Sequence, residues 1–124
     1  MRLLLDTQVM LWWLLDDPRL KPATRGLITQ NPCLVSVASV WEVAIKHRLG
    51  KLPVAPNCFR DNAIASGAAL LPVLDSHAIE TSELPGVHDD PFDRLLIAQA
   101  RIEGLMAVSA DHQWTHYDVS LHRA

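Results

Sequence analysis

The sequence predicts an α/β fold, a mostly parallel sheet with helices on both faces. Three observations point there. Short apolar runs of strand length, such as Leu3-Leu4-Leu5 and Cys33-Leu34-Val35, alternate with longer stretches of helical period. Proline, glycine and the pairs Asp17-Pro18 and Asn31-Pro32 punctuate the boundaries. Strands parted by helices need crossover connections, and crossovers cover both faces of a parallel sheet. At 124 residues, 49% hydrophobic and 20% charged, the chain suits one compact domain over residues 1–124 with a true core.

Taken in order, Leu3 to Leu5 is a buried strand ending at Asp6, and Val9 to Leu15 a short, very apolar helix. Pro22 to Thr29 is a helix opened by proline. Cys33 to Val35 is the second strand, and Ser36 or Ser39 caps a long helix that Gly50 stops. Pro53 and Pro56 bracket a loop ahead of a helix from Asn57 to Ser66, and Leu70 to Leu74 is the third strand. Asp75-Ser76 opens a helix that is over by Pro85-Gly86. Helix 91–103 has the sharpest signals: Asp90 at the N-cap, Pro91 at the first turn, Gly104 at the stop. Leu105 to Ser109 is the fourth strand, Asp111 opens a last short helix, and Val119 to Leu121 is the fifth strand. No repeat, low-complexity tract or linker interrupts the pattern.

Bulk properties narrow the function. A net charge of −3 disfavours a module that coats nucleic acid by charge alone. A protein of this charge acting on a polyanion needs another source of positive potential, which a carboxylate-bound cation would supply. Cys33 and Cys58 form no disulfide scaffold or metal motif and read as buried free thiols. No segment reaches the roughly 20 apolar residues of a membrane span. Asp6 interrupts the apolar start, and no small-x-small cleavage site follows it. The expectation is a cytoplasmic protein with no membrane partner.

Four acids stand out: Asp6, Glu42, Asp93 and Asp111. Asp6 and Asp111 sit at or just past the carboxyl ends of predicted strands, where ligands gather in open α/β sheets. Each could instead cap the helix after it. Asp93 shares a helix face with Leu96, Ile97 and Ala100, and the opposite face (Leu95, Ala98, Ile102) is apolar as well. A carboxylate there needs a partner, because burying it unpaired costs several kcal/mol. Glu42 falls at the edge of a stripe through Val37, Val40, Trp41, Ala44 and Ile45, and an exposed Glu42–Lys46 pair is the plain alternative. A shared acidic site explains all four together.

Oxygen-only donors suit Mg2+ or Mn2+ over zinc, and no HExxH or Cys/His quartet is present. Such a cluster is suited to phosphodiester hydrolysis. His88 and His112, each near an acid, read as surface or supporting groups. Lys46 and Arg94 are candidate phosphate contacts. The tryptophans read mostly as core, but Trp12 and Trp13 are adjacent on one helix and cannot both face the same core, so one belongs to an interface. A phosphatase of the aspartyl-phosphate type would need Asp-x-Asp after the first strand, where Gln8 stands. A receiver module would need adjacent acids there, and a dinucleotide enzyme a GxGxxG turn; neither is present.

Four blocks in order, LLLDTQVMLWWLLDDPRL, SVASVWEVAIKHRLGKL, HDDPFDRLLIAQARIEGL and VSADHQW, resemble the PIN-domain proteins of the VapC toxin type over nearly the whole chain. The resemblance implies a three-layer α/β/α PIN-like domain that cleaves RNA with Mg2+ or Mn2+. It implies a homodimer silenced by a cognate antitoxin that inserts a segment into the active-site groove. It carries the family's acids onto Asp6, Glu42, Asp93 and Asp111, with Asp90 as cap and supporting acid and Ser109 in the ser/thr-x-Asp turn. Gln8 stands where similar sequences often have His, and Ser109 where Thr is commoner; neither change removes a carboxylate. A PIN-like module that binds RNA or protein without cutting is the alternative.

Overall fold

The computed structural model describes residues 1–124. Its elements are β1 (Leu3–Leu5), α1 (Thr7–Leu14), α2 (Pro22–Gln30), β2 (Cys33–Ser36), α3 (Val37–Arg48) and α4 (Pro56–Ala65). They continue with β3 (Ala69–Leu71), α5 (Asp75–Glu80), α6 (Pro91–Glu103), β4 (Met106–Ser109) and β5 (Leu121–Arg123). Short 3-10 turns follow α5 at Thr81–Glu83 and β4 at His112–His116.

The five strands lie in the order β3-β2-β1-β4-β5, every neighbouring pair parallel. From β1 the chain winds outward through β2 to β3, then returns to the other side of β1 with β4. The order therefore reverses beside β1, which opens a crevice beyond the carboxyl ends of β1 and β4. Helices cover both faces, and the architecture is a three-layer α/β/α sandwich. Alternation along β1 divides the core. Leu3 and Leu5 join Val9, Met10, Phe59 and Ala63 beneath α1 and α4. Leu4 joins Leu96, Ile97, Ala100 and Trp114 beneath α6. No helix is long and apolar enough to cross a membrane.

Several boundaries differ from those the sequence predicts. β3 stops at Leu71, since Pro72 has no N–H for the ladder. β5 begins two residues late, with Val108 opposite His122; an edge strand takes its register from its partner more than from its own pattern. The element expected at Asp111 is a 3-10 turn. α4 takes Pro56 as its first residue instead of leaving it in the loop. Of the two serines that could cap α3, Ser36 does so, its Oγ accepting the Ala38 N–H at 3.0 Å.

Three further expectations need correcting. Cys58 is exposed and Cys33 half-buried, so neither is a fully buried thiol. Trp12 and Trp13 both pack partly against the core beneath α1, with the Arg19 guanidinium over the Trp12 ring at 5.1 Å. α3 presents its small and polar face, Ala38, Ser39, Glu42 and Val43, to the interior. Much of its apolar stripe points outward, leaving Val37 41%, Trp41 61%, Ile45 36% and, just past the helix, Leu49 60% exposed, while Val40 packs partly against the core. The reason is position: α3 starts directly after β2, and Glu42 and Val43 on its inner face line the crevice together with Asp6 and Asp111.

Candidate active site

Asp6, Glu42, Asp93 and Asp111 line one cleft of about 480 Å3 at that crevice. Each comes from a different element. Asp6 follows β1, Glu42 points inward from α3, Asp93 stands in the first turn of α6, and Asp111 follows β4.

Asp6 holds the N-cap position of α1 but makes no side-chain cap bond. Instead its Oδ2 accepts the Ser109 hydroxyl at 2.8 Å, and Ser109 Oγ accepts the Asp111 N–H at 3.1 Å. One hydroxyl thus links the two strand ends. Asp111 does cap the following turn, its Oδ1 accepting from Gln113 N–H at 2.9 Å. Asp90 caps α6 as expected, accepting from Phe92 N–H at 2.9 Å, and its side chain stands at the same cleft.

Glu42 and Lys46 form an ion pair at 2.8 Å, but not the exposed pair of the plain reading: the Glu42 side chain is only 9% exposed, that of Lys46 51%. Glu42 Oε2 takes the ammonium, while Oε1 is buried with no partner. A buried carboxylate oxygen left bare is costly. Lys46 also borders the cleft. Its Nζ is held more firmly protonated than usual by the hydrogen bond to Glu42, burial opposing and the charges of Glu42, Asp90 and Asp93 adding to it.

Crowded carboxylates repel. Burial, with the charge of Glu42 adding to it and the Ser109 hydrogen bond opposing, raises the Asp6 carboxyl to about 6. Burial and the charges of Asp6, Asp90 and Glu42 raise Asp93 to about 7, with His88 pulling the other way. Asp111 is the exception. Partial burial pushes it up, but the Gln113 N–H and His88 outweigh that and hold it below its ordinary value. The cluster thus confines more negative charge than it can neutralise internally, which is what a cation site does when its protein ligands face one another.

His88 takes the supporting one of the two roles expected of it. Its Nε2 lies 2.8 Å from Asp93 Oδ2 and 3.0 Å from Asp111 Oδ2. The signal was local: a histidine two residues ahead of a helix cap can reach the cap's own N–H, and His88 Nδ1 accepts from Asp90 N–H at 3.1 Å. His112 is exposed, as expected. Arg94 needs correcting. Its four terminal N–H groups donate to the carbonyls of Thr81, Leu84, Pro85 and His88, so the phosphate contact expected of it has no donor there except Nε–H.

Several solved structures share this fold. The VapBC2 complex from Rickettsia felis, bound to a DNA fragment from its promoter, matches with TM-score 0.74 and 14% identity over 99% of this chain and 98% of that one. DNA-bound VapBC from Salmonella typhimurium matches with TM-score 0.72 and 17% identity over 99% and 98%. A toxin–antitoxin complex from Klebsiella pneumoniae matches with TM-score 0.65 and 14% identity over 96% and 94%. At such identities the likeness speaks for the fold. A search of curated protein sequences finds no match. The family model for the PIN domain matches residues 3–120, nearly the whole length. The chain is a member of the PIN-domain family.

Proposed function

We propose that this protein is a metal-dependent endoribonuclease, the toxin of a toxin–antitoxin pair. One observation carries the reading: four acids from four separate elements share a cleft in which Glu42 Oε1 is buried and unpartnered. Stability alone gives no reason to gather them there, and a divalent cation does. The donor set fits Mg2+ or Mn2+, being carboxylate oxygen throughout. Asp6, Glu42, Asp93 and Asp111 are the residues that would hold it. When bound, such an ion lowers the pKa of water and offsets phosphate charge.

The remaining work falls to the chain itself. Ser109 keeps the Asp6 carboxylate turned to the cleft through its hydroxyl. Asp90, as cap, fixes the start of α6 and with it Asp93. Lys46, half-exposed at the cleft wall, can leave Glu42 for a phosphate oxygen, so the ammonium serves either anion.

RNA as substrate and an antitoxin as partner rest on the family and on the toxin–antitoxin relatives. A homodimer belongs to the same proposal. The outward apolar stripe of Val37, Trp41 and Ile45 on α3, continued by its C-cap Leu49, is a surface that a protein partner would cover.

The test is cleavage of total RNA by the purified chain with Mg2+, Mn2+ or EDTA, beside Asp93→Asn. Metal-dependent cutting that the substitution abolishes supports the nuclease. Binding of RNA or protein without cutting, under either metal, would replace it with a non-catalytic module.

A further inference from the structure

We infer that His88 is a positioning residue of the carboxylate site, an imidazole locked with its proton on Nε2 that ties the Asp93 carboxylate to that of Asp111. The inference deepens the metal-site reading above, but its first test needs no metal.

The ring's orientation is over-determined. The backbone N–H of His88 donates to Tyr117 Oη at 2.8 Å, and its carbonyl accepts from Arg94 at 3.4 Å. Arg94 also grips the carbonyls of Thr81, Leu84 and Pro85 at 2.7, 3.2 and 2.7 Å, so the segment bearing His88 is clamped to α6 along its length. The ring is then set by its own neighbour: Nδ1 accepts the Asp90 N–H at 3.1 Å. A nitrogen that accepts carries no proton, so the imidazole proton sits on Nε2. Nε2 faces one oxygen from each of two carboxylates, Asp93 Oδ2 at 2.8 Å and Asp111 Oδ2 at 3.0 Å.

The same three residues could be taken as a metal-ligating set, since their donor atoms lie within 4.8 Å of one another. The tautomer argues against His88 as a ligand. Ligation through Nε2 would move the proton to Nδ1, where it would meet the Asp90 N–H head-on. His88 is instead a donor shared by two acids whose elements, α6 and the turn after β4, have no other direct tie between these side chains. Without it, like charges would push Asp93 and Asp111 apart. Asp90 thereby has two tasks in one residue. Its side chain caps α6, and its N–H selects the tautomer that holds Asp93 in place.

Two measurements decide it. The first is nitrogen NMR of the histidine rings in the metal-free full chain at neutral pH. The lock predicts an unprotonated Nδ1 and a proton-bearing Nε2 for His88; a proton on Nδ1, or on both nitrogens, overturns it. The second is Mn2+ binding followed by electron paramagnetic resonance, for the wild type, His88→Gln and His88→Leu. Glutamine carries an amide N–H close to where Nε2 stands, so it should bind Mn2+ within about threefold of wild type, whereas leucine should lose about 10- to 100-fold. Bound Mn2+ should show no histidine nitrogen coupling. A nitrogen coupling that vanishes in His88→Leu, or a leucine variant that binds as tightly as wild type, overturns the positioning role. If the wild type takes up no Mn2+, the metal reading fails while the ring-nitrogen spectrum still decides the tautomer.

Discussion

Helices α3 and α6 each carry one acid into the cleft, and they do it in opposite ways. α6 buries an apolar face, Leu96, Ile97, Ala98 and Ala100, and brings Asp93 in through its first turn, with Asp90 capping it and Gly104 ending it at φ 65. α3 turns its polar side inward, burying Ser39 and Glu42, and leaves Trp41 61% exposed. One helix is anchored by its core and reaches the site with its end. The other is laid across the site and leaves its apolar face for something else to cover. The lesson is that a hydrophobic stripe reports which surface must be covered, and not by which part of the assembly.

The sharpest break in that comparison would come from the acids themselves. Glu42→Gln and Asp93→Asn, one on each helix, should both lower RNA cleavage by roughly 1,000-fold, several kcal/mol of lost stabilisation. Cleavage that survives Glu42→Gln but not Asp93→Asn would remove α3 from the site. The helices should diverge in stability. Leu96→Ala, at a fully buried position on α6, should cost about 2–5 kcal/mol in urea unfolding. Trp41→Gln on α3 should cost no more than about 1 kcal/mol, the edge-to-face contact with Phe92 at 5.2 Å being its main intramolecular tie. Equal losses would mean that the outward stripe is part of the core.

The pH dependence of the metal-free protein follows from Asp6 and Asp93, which titrate at about 6 and about 7 in the fold. Both lie above the ordinary aspartate value of 3.8. Between about pH 4 and 7 the folded chain therefore holds more protons than the unfolded one, and stability falls as pH rises. Urea unfolding in EDTA across that range checks the sign, and a rise in stability would contradict it. Asp93→Asn should flatten the slope. The smallest effect belongs to the helix stops. Gly50 and Gly104 follow α3 and α6 at φ 72 and 65, so alanine at either should cost about 1 kcal/mol.

How much of this was readable beforehand depends on whether a signal is local. Pro91, Asp90 and Gly104 act within one turn of their own backbone, and the bounds of α6 were legible from them. β1 and β2 were legible too, as short apolar runs closed by polar residues. The gathering of Asp6 and Asp111 followed from where strand ends meet in a parallel sheet. What escaped was set between distant segments. β5 slid two residues because Val108, not its own pattern, chose its partner. The facing of α3 depends on where the sheet ends. Arg94 sat beside an acid in sequence, yet its guanidinium turned to four carbonyls of a loop whose path no periodicity reveals.

The central claim is that the four acids are arranged for a cation and strained without one. Thermal melting of wild type and Asp93→Asn, with EDTA and with millimolar Mn2+, tests it most directly. In EDTA the substitution should melt several degrees higher, since it removes a charge pressed among Asp6, Asp90 and Glu42. Mn2+ should then raise the wild type and leave Asp93→Asn nearly unmoved. If Asp93→Asn melts lower than wild type in EDTA, or if Mn2+ raises neither, the carboxylates serve the fold and the account fails.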